Sequence, residues 1–347
     1  MNKRKKRIKI GNRYVGDEEP CFIIAEIGSN HDGRLDQAKR LIDIAVEAGA
    51  DAVKFQSFRA SAMFNRYKNK DIVEKLEGLE LHEDWYREIF DYTSEKSIMA
   101  LFSVFDERSV DFLDDYDVDA FKIASYELTH TPLLEYVAKK NKPVIISTGM
   151  ATESEVMDAV KSIYSMGNKQ VIILHCVSQY PTNPRDVNLN SMVNLKKIFD
   201  CPVGFSDHTQ TIYAPIAAAA LGADMIEKHF TLDKSLPGPD HSYALNPKEL
   251  LEMTKGIRYA ERMLGDSIVK PTKSEEGERE WRRAIYASCN ISNGTVINSD
   301  MLMILRPSPK GYISPKYFDQ VIGKRIKKDI KKGELISKEF VEISHLV

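Results

Sequence analysis

The sequence predicts an α/β protein, a (β/α)8 barrel of the TIM type followed by a small β-rich module, and three observations carry that expectation. Short apolar runs rich in β-formers alternate with stretches of helical period through the first three quarters of the chain. There are eight such runs, the number that closes a (β/α) barrel. After Gly265-Asp266 the composition turns polar before a second set of short β-type runs begins. A doubly wound open sheet would also suit alternating strands and helices, but the eightfold count and the absence of a GxGxxG segment favour the barrel.

The elements follow in order. The basic start, Met1-Asn2-Lys3-Arg4-Lys5-Lys6-Arg7, leads into no apolar core of a signal peptide, so the expected location is cytoplasmic. Residues 8–10, the Gly11-Asn12 turn and residues 14–15 read as a hairpin. Barrel strands are expected at 22–25, 52–55, 99–102, 120–123, 144–146, 171–174, 202–205 and 225–226. Between the first two, the pattern from Leu35 places apolar residues at helical spacing until Gly49 ends the helix. Thr152-Glu153-Ser154-Glu155 caps another helix, and 214–220 forms a third from small residues. The expected domains are 1–266 for the hairpin and barrel, 267–284 for a linker, and 285–347 for the small module. Within that module β-type runs lie at 287–291, 301–305 and 321–322. A weak repeat joins Gly294-Thr295-Val296-Ile297 before Asp300 to Gly333-Glu334-Leu335-Ile336 before Glu339.

Composition excludes several classes of function. The 347 residues are 43% hydrophobic and 29% charged, which suits a globular protein with a large core. Lys+Arg 49 against Asp+Glu 51 leaves a net charge of -2, so no global field argues for nucleic acid or a membrane surface, and a charged substrate must be met locally. No apolar run approaches the roughly twenty residues of a membrane span. Cys21, Cys176, Cys201 and Cys289 form no CxxC pair and read as small buried apolar residues in a reducing compartment.

Chemistry in such a barrel belongs to the C-terminal strand ends, and here those ends are polar. They carry Glu26, Lys54, Gln56, Ser103, Lys122, Ser125, Ser147, Ser178, Tyr180, Ser206, His208 and His229. Taken singly, each histidine reads as an ordinary hydrogen-bonded strand-end residue. On adjacent strands the two imidazoles share a rim and can hold one metal ion with coordination positions left open. Two lysines converging on the same cavity need either internal carboxylates or an anionic guest. Glu26, Glu127, Asp207 and Asp240 offset part of the charge, and the serines supply neutral donors for phosphate or carboxylate oxygens. The expected guest is a small dianion or trianion.

Six segments then carry a family pattern. They are Ala25-Glu26-Ile27-Gly28-Ser29-Asn30-His31-Asp32-Gly33, Ala52-Val53-Lys54-Phe55-Gln56, Phe121-Lys122-Ile123-Ala124-Ser125, Ile146-Ser147-Thr148-Gly149-Met150, Gly204-Phe205-Ser206-Asp207-His208-Thr209, and Glu227-Lys228-His229-Phe230-Thr231 with Gly238-Pro239-Asp240-His241. Together they resemble the sialic acid synthase family, and the last sixty or so residues, with Arg306-Pro307, resemble its antifreeze-like (SAF) domain. The resemblance implies condensation of phosphoenolpyruvate with the open-chain aldehyde of an N-acylated sugar, giving a nonulosonic acid and phosphate. It further implies that His208 and His229 hold a divalent metal, Mn(II) with Mg(II) or Co(II) as alternatives. Lys54, Ser103, Lys122, Ser125, Ser147, Ser178, Ser206 and His208 would meet phosphoenolpyruvate. Glu26 and Glu127 would move protons, with Lys54 and Lys122 completing the catalytic set, and Gln56, Tyr180, Asp240 and Arg306 would meet the sugar. Arg306 is expected to serve a partner subunit's site in a domain-swapped homodimer.

Three places depart from the family pattern: Ser103-Val104 where Thr-Pro is usual, Ser178 where bacterial N-acetylneuraminate synthases have Asn, and Arg306-Pro307-Ser308-Pro309-Lys310-Gly311, which lacks the tight Pro-Gly seen in many relatives after this arginine. Two other readings remain at this stage: a synthase using a phosphorylated sugar, which needs a second cluster of Arg and Lys on the rim, and a catalytically silent carbohydrate-binding relative.

Overall fold

A computed structural model describes residues 6–341, so the basic start up to residue 5 and residues 342–347 of the small module lie outside the described residues. The described residues form two units, divided between Gly265 and Asp266. The 267–284 stretch belongs to the second unit; residues 267–283 are exposed, with short 3-10 turns at Lys273–Glu275 and Gly277–Trp281, and Ala284 is already buried in that unit's core.

In the first unit, β1 (Arg7–Ile10) and β2 (Arg13–Gly16) form the hairpin. Eight parallel strands then close a barrel in chain order: β3 (Phe22–Gly28), β4 (Ala52–Ser57), β5 (Met99–Val104), β6 (Phe121–Ile123), β7 (Val144–Ser147), β8 (Val171–Cys176), β9 (Val203–Asp207) and β10 (Met225–His229). Closure by β10 against β3 excludes the open-sheet alternative. The connections carry α1 (Leu35–Ala48), α2 (Ala60–Met63), α3 (Lys70–Glu77), α4 (Glu83–Glu95), α5 (Glu107–Asp115), α6 (Thr131–Lys139), α7 (Glu153–Ser165), α8 (Leu189–Ile198), α9 (Tyr213–Ala220) and α10 (Pro247–Met263).

Local rules explain the helix ends. Gly49 adopts φ 76° after α1, a left-handed conformation cheap only for glycine. Thr152 and Glu155 form a reciprocal capping box at α7, and Asn246 with Glu249 repeats it at α10, where Pro247 fills the first turn.

Two apolar layers hold the barrel. The outer one packs alternate strand residues such as Ile23, Val53, Phe102, Ile146, Phe205 and Ile226 against the helices. The inner one fills the N-terminal half of the barrel with Phe22, Ile24, Leu101, Ile145, Ile172 and Met225. Ile8, Ile10 and Val15 of the hairpin belong to this inner cluster, so the hairpin is the plug at the bottom of the barrel. Among the described residues a closed floor leaves the C-terminal end as the place where inward-facing side chains can be polar and reach a ligand.

In the second unit β11 (Ala284–Ala287) pairs antiparallel with β12 (Leu302–Leu305) over a core that includes Ile285, Ile291, Ile297, Ile313, Ile326 and Ile336. The strand expected at 287–291 lies earlier, and Ile291 makes only an isolated bridge to Ile330. The run expected at 321–322 is no strand: Val321 ends the short helix α11 (Phe318–Val321) and faces the core. The internal repeat is structural. Gly294 and Gly333 both turn with positive φ, Ile297 and Ile336 are both buried, and Asn298 and Ser337 each cap a following 3-10 turn. Of the cysteines, Cys21, Cys176 and Cys201 are buried as expected, but Cys289 is exposed.

Candidate active site

Period-2 alternation puts one residue in two of each barrel strand inward, and along every strand the inward face changes from apolar to polar. Phe22 and Ile24 give way to Glu26, Ala52 to Lys54 and Gln56, Leu101 to Ser103, Ala120 to Lys122, Ile145 to Ser147, and Met225 to Glu227 and His229. Gly204 precedes Ser206, and Leu174 precedes Cys176. A ring of buried polar groups therefore sits directly on the apolar plug.

Its centre is a charge cluster. Lys54 Nζ lies 2.8 Å from Glu26 and donates to Ser103 Oγ at 2.7 Å. Lys122 Nζ donates to Ser147 Oγ at 2.7 Å and to the Ile123 carbonyl at 3.1 Å. Both lysines are 2% exposed, and Glu227 stands between them at 3.8 Å from Lys54 and 3.9 Å from Lys122. Ser206 Oγ donates to Glu227 Oε1 at 2.9 Å, while Oε2 has no hydrogen-bond partner among the described residues. Burial alone would raise both carboxyl pKa values. For Glu227 the fields of Lys122 and Lys54 outweigh it and hold the group ionised. Glu26 moves the other way: burial and the neighbouring Glu227 charge exceed the pull of Lys54, so it is lifted well above the usual carboxylate range. Lys54 keeps its charge, because Glu227 and Glu26 overcome its desolvation, whereas burial and Lys54 together lower Lys122.

Beside this cluster His208 and His229 face one another with ring centroids 5.6 Å apart. Burial, with some repulsion between the rings, depresses His208 to about 4, and burial depresses His229 to about 4, so both imidazoles are neutral at physiological pH. His208 Nδ1 lies 2.8 Å from the Val177 carbonyl, which assigns that nitrogen as the donor and leaves Nε2 with its lone pair. His229 Nδ1 is buried and has no partner among the described residues. Gly28, with φ 54°, allows this packing: a Cβ there would lie 2.8 Å from Asp240 Oδ2 and 3.1 Å from His229 Nδ1. Neutral imidazoles with an unshared nitrogen are suitable ligands for a divalent metal. No set of three or more His, Cys, Asp or Glu groups capable of holding a metal occurs among the described residues. His208 and His229 are the residues that would hold such an ion.

The remaining candidates divide by place. Ser125 Oγ accepts from the Gly149 amide at 3.0 Å, and Ser178 Oγ is buried with no hydrogen-bond partner among the described residues; both hydroxyls crowd Gly149, where a Cβ would meet Ser178 Oγ at 2.1 Å and Ser125 Oγ at 2.8 Å. Gln56 Nε2 reaches Glu26 at 3.3 Å. Tyr180 lies with its ring centroid 4.1 Å from that of His208. Asp240 accepts from Ser29 N at 3.0 Å, Ser29 Oγ at 2.7 Å and Tyr243 at 2.7 Å, and these bonds with the His229 field overcome burial to keep it ionised. Gln56, Tyr180, His229, Asp240 and Glu127 all line a cavity of about 500 Å³ at the barrel mouth. Glu127 is half-buried on a 3-10 turn and 3.5 Å from His130, so the structure places it at the mouth and away from the lysine cluster. Arg306 follows β12 in the second unit.

One expectation is corrected. Asp207 does not offset the site's cations: it belongs to the outward parity of Phe205 and is paired with buried Lys228 at 2.5 Å. The carboxylate that stands between the two lysines is Glu227, which lies past Ile226, where the apolar run ends, on a strand that continues to His229. The missed signal was the alternation Met225, Glu227, His229. Ser29 and Tyr243, which orient Asp240, had no sequence signal short of the fold.

Fold and site together define a parallel eight-stranded barrel with two buried lysines beside two neutral histidines at its C-terminal end, followed by a separate C-terminal module. Comparison with known proteins gives the particular family. The NeuB family model matches residues 41–269 and the SAF domain model residues 282–342. The chain is 39% identical to N,N'-diacetyllegionaminic acid synthase of Legionella pneumophila, over 96% of this chain and 98% of that one. It is also 39% identical to human N-acetylneuraminate-9-phosphate synthase, over 95% of each. The crystal structure of the Bacillus subtilis spore coat polysaccharide biosynthesis protein SpsE superposes with a TM-score of 0.69 at 41% identity, covering 98% of this chain and all of that one. The chain belongs to the NeuB family and is an enzyme of the sialic acid synthase type.

Proposed function

We propose that the protein condenses phosphoenolpyruvate with the open-chain aldehyde of an N-acyl hexosamine in a metal-dependent reaction, yielding a nonulosonic acid and inorganic phosphate. The observation that carries this reading is the pairing, in one buried ring, of Lys54 and Lys122 with the neutral His208 and His229. Lys54, Lys122, Ser103, Ser125, Ser147, Ser178 and Ser206 supply donors for the phosphate and carboxylate of phosphoenolpyruvate. His208 and His229 would hold a divalent ion, Mn(II) by the family resemblance, whose chemistry is to polarise the acceptor carbonyl. C3 of phosphoenolpyruvate forms the new bond to the aldehyde carbon, whose oxygen gains a proton. Water then adds at the oxocarbenium-like C2, and the phosphate leaves. Glu26 is suited to the proton transfers because it stands against Lys54 with a raised pKa, and Glu127 at the mouth is suited to sugar ring opening. Gln56, Tyr180 and Asp240 meet the sugar.

The test is phosphate release from phosphoenolpyruvate with Mn(II) and a panel of free N-acyl sugars. Release should be abolished by EDTA, restored by Mn(II), and reduced at least about a hundredfold in His208→Ala. Absence of phosphate with every sugar, or release indifferent to EDTA, would overturn the reading.

A further inference from the structure

His208 and His229 are held in the chain in different ways. His229 is the last residue of β10, in register with Glu26 of β3, and its carbonyl accepts from Leu245 N at 2.9 Å. His208 lies one residue past the end of β9, whose ladder with β10 runs only as far as the pair Asp207 and Lys228. Its carbonyl accepts from Thr182 N at 2.9 Å, and three buried side chains hold the turn around it. The Asp207 carboxylate accepts from Thr209 N and from Thr209 Oγ1, each at 2.9 Å, which closes a tight turn with His208 at its apex. Lys228 Nζ donates to Asp207 Oδ2 at 2.5 Å and to the Thr209 carbonyl, so one ammonium group binds both ends of that turn. Lys228 is also the chain neighbour of His229.

Resting on the metal-dependent reading proposed above, we infer that Lys228 is a positioning residue: through Asp207 and Thr209 its ammonium holds the His208 turn against β10, keeping the two imidazoles within reach of one divalent ion. Stability alone is a weak reason for this pair. Desolvating two ions costs most of what their attraction returns, and apolar side chains of similar volume often hold a core as well. What an apolar pair lacks is direction, because hydrogen bonds to a charged group fix the distance and angle of each acceptor. Groups that orient metal ligands from behind are worth about ten- to a hundredfold in metal affinity.

The test is a titration of metal-free, full-length protein with Mn(II), followed by the electron paramagnetic resonance signal of the free ion, with Tm measured alongside. The double variant Asp207→Asn/Lys228→Met leaves no unpaired charge in the core and keeps an acceptor for the Thr209 amide. It should stay folded and bind Mn(II) about ten- to a hundredfold more weakly than the parent. A milder variant, Thr209→Val, removes only the hydroxyl that Asp207 accepts from and should weaken binding by about three- to tenfold. A control pair lies at the other end of the same two strands, where Lys196 meets Asp224 at 2.9 Å and Asp224 accepts from Val203 N at 2.8 Å. Lys196→Met/Asp224→Asn should leave Mn(II) affinity unchanged. Parent-like affinity in the Asp207→Asn/Lys228→Met protein, or in Thr209→Val if the double variant does not fold, would overturn the positioning role. Equal weakening by the control pair would overturn it too, and in each case the metal reading stands. A parent that binds no Mn(II), or whose binding survives His208→Ala undiminished, would remove the metal reading and this inference with it.

Discussion

At the scale of single residues the site is an exercise in charge balance. Two ammonium groups sit in a ring closed below by hydrocarbon, and each buried ion costs several kcal/mol to desolvate. Glu227 lies within 4 Å of both, whereas Glu26 touches Lys54 and is driven toward its neutral form. One ionised carboxylate shared by two ammonium groups suits the anionic guest of the proposed reaction. Glu227→Gln keeps the shape and removes the shared counter-charge. Urea denaturation should show a loss of about 3–5 kcal/mol, and phosphoenolpyruvate should raise Tm more in the variant than in the parent. Unchanged stability would mean that Glu227 does not hold the lysines. The polar residues at strand ends were legible one by one in the sequence. Which carboxylate faced the lysines was not, since Asp207 and Glu227 differ only in the parity of their strands.

At the scale of elements, all eight barrel strands were legible as apolar runs, yet several run two or three residues further than the runs do. β3 extends to Gly28 and β10 to His229. The reason is that ladder hydrogen bonds from both neighbours continue past the point where the side chains turn polar, and those side chains satisfy one another across the ring. Helix ends were legible where caps are local. Removing one cap tests this: Thr152→Ala deletes the hydroxyl that accepts from the Glu155 amide at α7, while the backbone amide of residue 152 keeps its bond to Glu155, and should cost about 1 kcal/mol, seen as a Tm lower by a few degrees in calorimetry. A Tm within error of the parent would show the box to be idle. The second unit resisted reading because its runs are short and its register is set by isolated bridges rather than long ladders.

At the scale of the whole molecule the hairpin plug gives the barrel one open end, and the first unit carries the lysine and histidine groups entirely within residues 26–229. The proposal extends to a dimer in which Arg306 serves the acceptor site of a partner copy, a reading supported by the family resemblance of the second unit. Light scattering should therefore report twice the mass of the 39.4 kDa chain. Arg306→Ala should raise the KM for the sugar by about ten- to a hundredfold and leave that for phosphoenolpyruvate unchanged. A monomer, or unaltered sugar kinetics, would remove this role. By itself the sequence determined the barrel, the small module after it and the residue types on the strand ends, because periodicity, turn chemistry and caps are short-range properties. Only the tertiary structure decided which of those residues share a cavity: Glu227 beside the lysines and Asp207 paired outside with Lys228, and Glu127 lining the mouth with Asp240, Phe58, Phe64 and Phe105. Burial, charge and strand parity act across the closed barrel, and no local pattern along the chain records them.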